Sequence, residues 1–248
     1  MSKWGQSPFI CDTINNMGRI ARIDIGDNIY HVINRANSRA NIFYNNKDYQ
    51  LLESILEEAV EKFNMRLLAY CLMPNHWHLI LYPKKDGDLS KFMGWLTNTH
   101  TRRYHAMKKT IGHGHLYQGR YKSFLCQKDN YLITLLRYVE RNAKRARLVD
   151  RAENWKWSSV WRREFGTIKQ KKILNSWPIE TPRNYIQYLN EPQKDKELQS
   201  IRKSVNKNIP FGNDSWVWRM VDKFKLKQTL RGWVDQRMVA DPNFKFIF

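Results

Sequence analysis

MRLLAYCLMPNHWHLILYP, residues 65–83, decides the fold. Two apolar runs flank Pro74-Asn75, a dipeptide that favours a tight turn. The stretch predicts a β-hairpin, with one strand over 65–73 and its return over 76–83. A strand sends successive side chains to opposite faces. His76 and His78 therefore share one face, about 7 Å apart by strand rise, and Trp77, Leu79 and Leu81 share the other. The tryptophan is the apolar anchor, and the histidine pair is presented on the far side. Such a pair fits packing within a polar sheet face, half of a metal site, or two acid–base groups. Spacing alone does not separate these.

Outward from the hairpin, DNIYHVINR (27–35) is rich in β-branched and aromatic residues and predicts a strand, followed by the polar loop ANSRAN. In NKDYQLLESILEEAVEKF (46–63) the residues Leu51, Leu52, Ile55, Leu56, Ala59, Val60 and Phe63 recur at helical spacing, with Asn46 or Asp48 as a cap. Downstream, a helix is predicted from Ser90 to about Met107, then a glycine-bearing loop over KKTIGHGHLYQG. A strand over RYKSFLCQ and a strongly periodic helix over 130–149 follow. The order β-α-β-β-α-β-α predicts an α+β fold, a ferredoxin-like antiparallel sheet with helices packed on it. That body is expected to end near residue 166. Beyond it the composition turns to Pro, Asn, Lys and Gln, with short helices predicted around 182–189 and 213–225, the second capped by Asn213 beside Gly212. This basic, mainly helical C-terminal extension (167–248) is too polar for a large core of its own. It is expected to dock on the body (17–166) or on nucleic acid.

With 43 Lys+Arg against 23 Asp+Glu, the 248-residue chain carries +20, a field that attracts polyanions, nucleic acid foremost. The three cysteines, Cys11, Cys71 and Cys126, are too scattered for a disulfide framework or a Cys-based zinc site, which suits a reducing cytosol. No apolar run reaches membrane-spanning length, and residues 1–16, a polar N-terminal extension, lack the apolar region of a secretory signal. Met17 reads as an internal start. A cytoplasmic, nucleoid-associated protein is the expectation.

A metal site needs a third ligand. In RYVERN, Tyr138 and Asn142 are four apart and share a helix face. If that helix packs beside the histidine strand, Asn142 offers an oxygen and Tyr138 a phenol; otherwise Tyr138 is an ordinary core tyrosine. His113 and His115 repeat the spacing of the first pair, but between glycines that leave their orientation open. His31, His100 and His105 stand alone and read as ordinary surface or core residues.

These segments together resemble a known family. RIARIDIGDNIYHVINRANSRANIF, AYCLMPNHWHLIL, GHLYQGRYKSF, YLITLLRYVERNAKRARLV and the WKWSS run at 155–159 stand in the order and at the approximate spacings of the His-hydrophobic-His single-strand endonucleases. More narrowly they resemble the IS200-like, REP-associated tyrosine transposases, and NIPFGNDSWVWRMVDKFKLKQTLR resembles the C-terminal part of longer members. Three positions depart: Ala36 for a usual glycine, Ala143 for a usual proline, and Glu140 for a common histidine.

The resemblance implies that His76, His78 and Asn142 hold a divalent metal, Mg²⁺ or Mn²⁺, on the scissile phosphate of single-stranded or hairpin (REP-like) DNA. Tyr138 is then the nucleophile that forms a 5′-phosphotyrosine, so strands can be rejoined without an external energy source. DNA contacts are expected from Arg35, Asn37 and Arg39 in the first loop, from Arg102 and Arg103, from Gln118, Arg120 and Lys122, and from Lys144, Arg145 and Arg147. Tyr117 or Tyr121 would stack bases. The alternatives are a hairpin-binding regulator with little or no catalysis, and a simple nicking nuclease. A monomer and a homodimer, with Tyr138 acting in its own or its partner's site, both fit the sequence.

Overall fold

The structure, a computed structural model, describes residues 22–230. The extension over 1–16, Met17 and Cys11 lie outside that range. Four strands, β1 (Ile29–Arg35), β2 (Arg66–Met73), β3 (His76–Tyr82) and β4 (Lys122–Cys126), form one sheet in the order β2-β3-β1-β4. All neighbours are antiparallel. The hairpin β2-β3 is tight, but β1 inserts its partner β3 between itself and β2, the split arrangement of a ferredoxin-like sheet. The predicted fold class is therefore the observed one.

Side-chain alternation divides the sheet into two apolar layers. Tyr30, Val32, Tyr70, Leu72, Trp77, Leu79 and Leu81 face one way, into a core shared with α1 (Asn46–Phe63) and α2 (Asp88–Lys108). Ile29, Cys71, Ile80, Phe124 and Cys126 face the other, against α3 (Asn130–Glu140). A register shift between Leu67 and Ala69 puts Leu68 and Ala69 together on the α3 side, as an extra residue in a bulge does. Trp77 is fully buried, and its indole N–H donates to the Tyr117 hydroxyl at 3.0 Å. Removing a side chain of this size from water contributes roughly 2–3 kcal/mol, which fixes which way β3 faces.

Helix boundaries follow their caps. Asn45, one residue before the expected cap, accepts from the backbone of Lys47 and Asp48, and Asp48 returns the bond to the Asn45 N–H. The first turn of α2 begins at Asp88, earlier than Ser90, because the Asp24 carboxylate accepts from the N–H groups of Leu89 and Ser90. The helix predicted over 130–149 is broken: α3 stops at Glu140 and a short turn, α4 (Asn142–Arg145), follows. Arg147 then takes a left-handed conformation (φ 57°) that ends the run.

The C-terminal segment packs on the body. After α5 (Ser159–Phe165) and α6 (Ile168–Lys171) come α7 (Tyr185–Asn190), α8 (Asp195–Lys207) and α9 (Asp214–Lys223). Asn213 caps α9 as expected, accepting from Trp216 N–H at 2.9 Å. Gly212 is needed there: a Cβ would come within 2.4 Å of the Trp216 ring and 2.5 Å of the Gln127 amide. The helix α8 was not foreseen. Its 13 residues carry three large aliphatics, Leu198, Ile201 and Val205, whose narrow stripe joins the core beneath α3.

Candidate active site

The register of the central strands builds the site. In β1-β3, Arg35 lies opposite His76 and Ile33 opposite His78. His76, His78 and His31 fall on the face that α3 covers. Tyr138, on α3, is buried with its ring edge-on to His78 (centroids 5.9 Å) and to His31 (6.3 Å). The helix-face argument therefore brings the tyrosine to the histidine pair.

Each histidine of the pair has its Nδ1 engaged. His76 Nδ1 meets Asn75 Oδ1 at 2.6 Å, and His78 Nδ1 meets His31 Nε2 at 2.8 Å. Burial, with the Arg35 and Arg145 cations adding to it, pushes His76 down to about 4. His78 is held well below the usual imidazole range, by burial first and then by its two histidine neighbours. Both rings are neutral near pH 7, the form a metal requires. Among the described residues no three His, Cys, Asp or Glu side chains are disposed to hold a metal. Two imidazoles with an amide oxygen, the set expected from the sequence, are a mixture of donors whose chemistry suits a divalent ion sharing phosphate oxygens. Asn142 is buried, and its Nδ2 has no hydrogen-bond partner. The amide oxygen, the atom a ligand role requires, accepts from Arg145 and keeps a second lone pair.

Arg145 ties this group together. Its guanidinium lies 4.2 Å from the Tyr138 ring centroid, donates to Asn142 Oδ1 at 2.9 Å, and reaches the Tyr138 carbonyl at 3.3 Å. Glu140, where the resemblance leads one to expect a histidine, points away from the pair. It is fully buried and accepts from Ser159 Oγ (2.6 Å) and Tyr185 Oη (2.7 Å), with burial raising its pKa.

The expected DNA-contacting residues separate into groups. Arg35, Gln118, Arg120, Tyr121 and Lys122 line one cleft of about 550 Å³ that runs from the end of β1 to α8, where Asn206 forms part of its wall. Asn37 and Arg39 are exposed in the loop beyond β1, and the Arg39 carbonyl accepts from Asn75, the residue that holds His76. Lys144 and Arg147 flank the tyrosine turn, with Lys144 Nζ bonded to the Asp150 carbonyl. Arg102 and Arg103 lie on α2, over the opposite face of the sheet, and Arg103 grips Glu58 through both terminal nitrogens. Tyr117 needs correction as a base-stacking residue. It is buried in the α1/α2 core, its hydroxyl accepting from Trp77 and donating to His100, so its ring is committed to the interior. His113 and His115 are exposed in their loop.

The layered α+β domain thus sets two buried histidines, His31 and His78, against a tyrosine-bearing helix. Residues 25–142 match the family model "Transposase IS200 like". Over these residues, a little under half of the chain, the protein is thus similar to an IS200-like transposase domain. Among solved structures it is similar to a REP-associated tyrosine transposase bound to a REP hairpin (19% identity, TM-score 0.50), over 59% of this chain and 84% of that one. A second similar structure is a protein of Deinococcus radiodurans R1 named as a transposase (19% identity, TM-score 0.36), over 53% of this chain and 90% of that one. No curated protein matches the chain. Among the described residues no helix is long and apolar enough to cross a membrane.

Proposed function

We propose that this protein cleaves and rejoins single-stranded DNA beside hairpins through a covalent bond to Tyr138. The observation that carries the reading is the packing of the Tyr138 ring edge-on to His78, on the one sheet face that also presents His76. A divalent ion, Mg²⁺ or Mn²⁺, held by His76, His78 and Asn142 would supply charge stabilisation at the phosphoryl oxygens. The side chains do the rest. Asn75 and His31 fix the two imidazoles, and Arg35 and Arg145 place positive charge beside them. Arg145 also sets the orientation of the tyrosine ring.

In the first step the Tyr138 oxygen bonds to phosphorus and loses its proton, the bond from phosphorus to the 3′-oxygen breaks, and that oxygen leaves as a protonated 3′-hydroxyl. The phosphoryl bond is kept in the 5′-phosphotyrosine, so attack by a 3′-hydroxyl in the reverse direction rejoins strands with no nucleotide cofactor. The cleft with Arg35, Gln118, Arg120 and Lys122 would hold the strand next to the reacting phosphate, cations on the backbone. Tyr121, expected as a base-stacking residue, is buried in the cleft wall with the Arg22 guanidinium over its ring and is corrected as Tyr117 is. The hairpin target rests on the resemblance to REP-associated tyrosine transposases. One such enzyme was solved with a REP hairpin.

The test is a denaturing gel of the full-length protein with Mg²⁺ or Mn²⁺ and single-stranded oligonucleotides from hairpin-rich DNA flanking its gene. An adduct formed by the wild type and lost in Tyr138→Phe and His76→Ala is the expected result. Cleavage that survives Tyr138→Phe would mean a water-using nuclease. Hairpin binding without cleavage under every metal tried would favour a regulator.

A further inference from the structure

We infer that His31 is a positioning residue that sets the tautomer of His78 and so makes its Nε2 available to the metal. The inference rests on the metal reading above and concerns a residue the sequence left isolated. His31 lies on the neighbouring strand β1, on the same face as His78, with no exposed surface. Its ring is stacked on that of His78 (centroids 5.0 Å, 29° between planes) and wedged by Phe124 at 4.8 Å. The contact joins His31 Nε2 to His78 Nδ1 at 2.8 Å, and the remaining nitrogen, His31 Nδ1, is buried with no hydrogen-bond partner among the described residues.

Two neutral imidazoles sharing one hydrogen bond have two arrangements. If His31 Nε2–H donates, His78 must carry its own proton on Nε2 and has no lone pair for a metal there. If His78 Nδ1–H donates, its Nε2 is the lone-pair nitrogen. The orphaned His31 Nδ1 is unpaired in either case, so protein contacts do not choose strongly between them. A cation at Nε2 accepts only the second arrangement, and in it His31 is the acceptor that satisfies the buried His78 Nδ1–H. His76 reaches the same state by a simpler route, through the Asn75 side-chain amide oxygen. Ring orientation follows from the same bond: with Nδ1 held by β1, His78 Nε2 is turned away from that strand. An outer-shell partner of this kind typically controls metal affinity by about 10- to 100-fold.

The test is Mn²⁺ titration of the full-length apo protein by electron paramagnetic resonance, which reads binding and not activity. His31→Phe keeps a ring and removes the acceptor; His31→Gln places an amide oxygen near the position of Nε2; His31→Asn places its amide nearer Nδ1. The expected result is a loss of Mn²⁺ affinity of about 10- to 100-fold in His31→Phe, recovery in His31→Gln, and none in His31→Asn, with similar circular dichroism throughout. Wild-type affinity in His31→Phe overturns the inference, as does a folded His31→Gln that binds no better than His31→Phe. Nitrogen-15 spectra of the wild type with Mg²⁺ give a reading that needs no variant. There His78 must show its proton on Nδ1, and a proton on Nε2 overturns the inference. Wild type binding no more Mn²⁺ than His76→Ala would instead overturn the metal reading itself, and this inference with it.

Discussion

At the scale of single residues, the site depends on side chains that hold other side chains. Arg145 does most of this, because one guanidinium touches the Tyr138 ring, the Tyr138 carbonyl and the Asn142 amide. Replacing it by alanine removes two charge-assisted bonds and a stacked cation. A stability loss of about 1–3 kcal/mol is expected, read as a shift in the urea midpoint. Adduct formation with single-stranded DNA should fall by more than the unfolded fraction explains, because ring and amide are then free to rotate. Equal losses in folded fraction and adduct would reduce Arg145 to a stability residue. The sequence had offered this arginine as a DNA contact; the contacts it makes within the fold were invisible there.

At the scale of elements, the tyrosine helix is fastened from behind by the C-terminal segment. Tyr185 on α7 donates to the buried carboxylate of Glu140, the last residue of α3. The nearly fully buried Arg137 gives one bond to the Glu191 carbonyl at 3.0 Å and lies over the Tyr188 ring at 3.6 Å. Gln193 reaches the Thr134 carbonyl at 3.2 Å. Tyr185→Phe leaves one Glu140 oxygen without its donor, which costs about 1–3 kcal/mol for a buried group. Amide hydrogen exchange should rise along α3 and α7 together while β1-β3 stays protected. Faster exchange confined to α7 would show that the fastening does not reach the tyrosine helix.

At the scale of the whole molecule, the buried histidines make acid the weak direction. Burial lowers His31 to about 3, His76 to about 4 and His100 to about 3, and holds His78 well below its usual range. Each folded value lies below the unfolded one near 6.5, so the unfolded chain binds more protons as pH falls. The stability these groups allow is complete above about pH 6.5 and is lost as pH drops toward 4 and 3. The urea midpoint should fall steadily across that window. His100→Asn, which keeps an acceptor for the Tyr117 hydroxyl, should shallow the slope by close to one proton. A midpoint flat from pH 7 to 4 would contradict the burial of these rings.

How much of this could be read in advance depends on the range of the interaction. Periodicity gave the hairpin, the histidine face, the amphipathic α1 and α3, and the α+β class, because each is a relation between a residue and its own backbone. The break after Glu140 was missed, since 130–149 keeps helical spacing while Arg147 turns left-handed. The helix α8 was missed because three aliphatics among charges give too weak a stripe. What only the tertiary structure decided is which distant side chains meet. His31 and His78 are 47 residues apart and touch because β1 pairs with β3 in one register. Tyr117 is interior because Trp77 and His100, on two different elements, both bond its hydroxyl. Strand order, register and the docking of the C-terminal helices are set by packing the whole chain at once, and no local pattern carries that information.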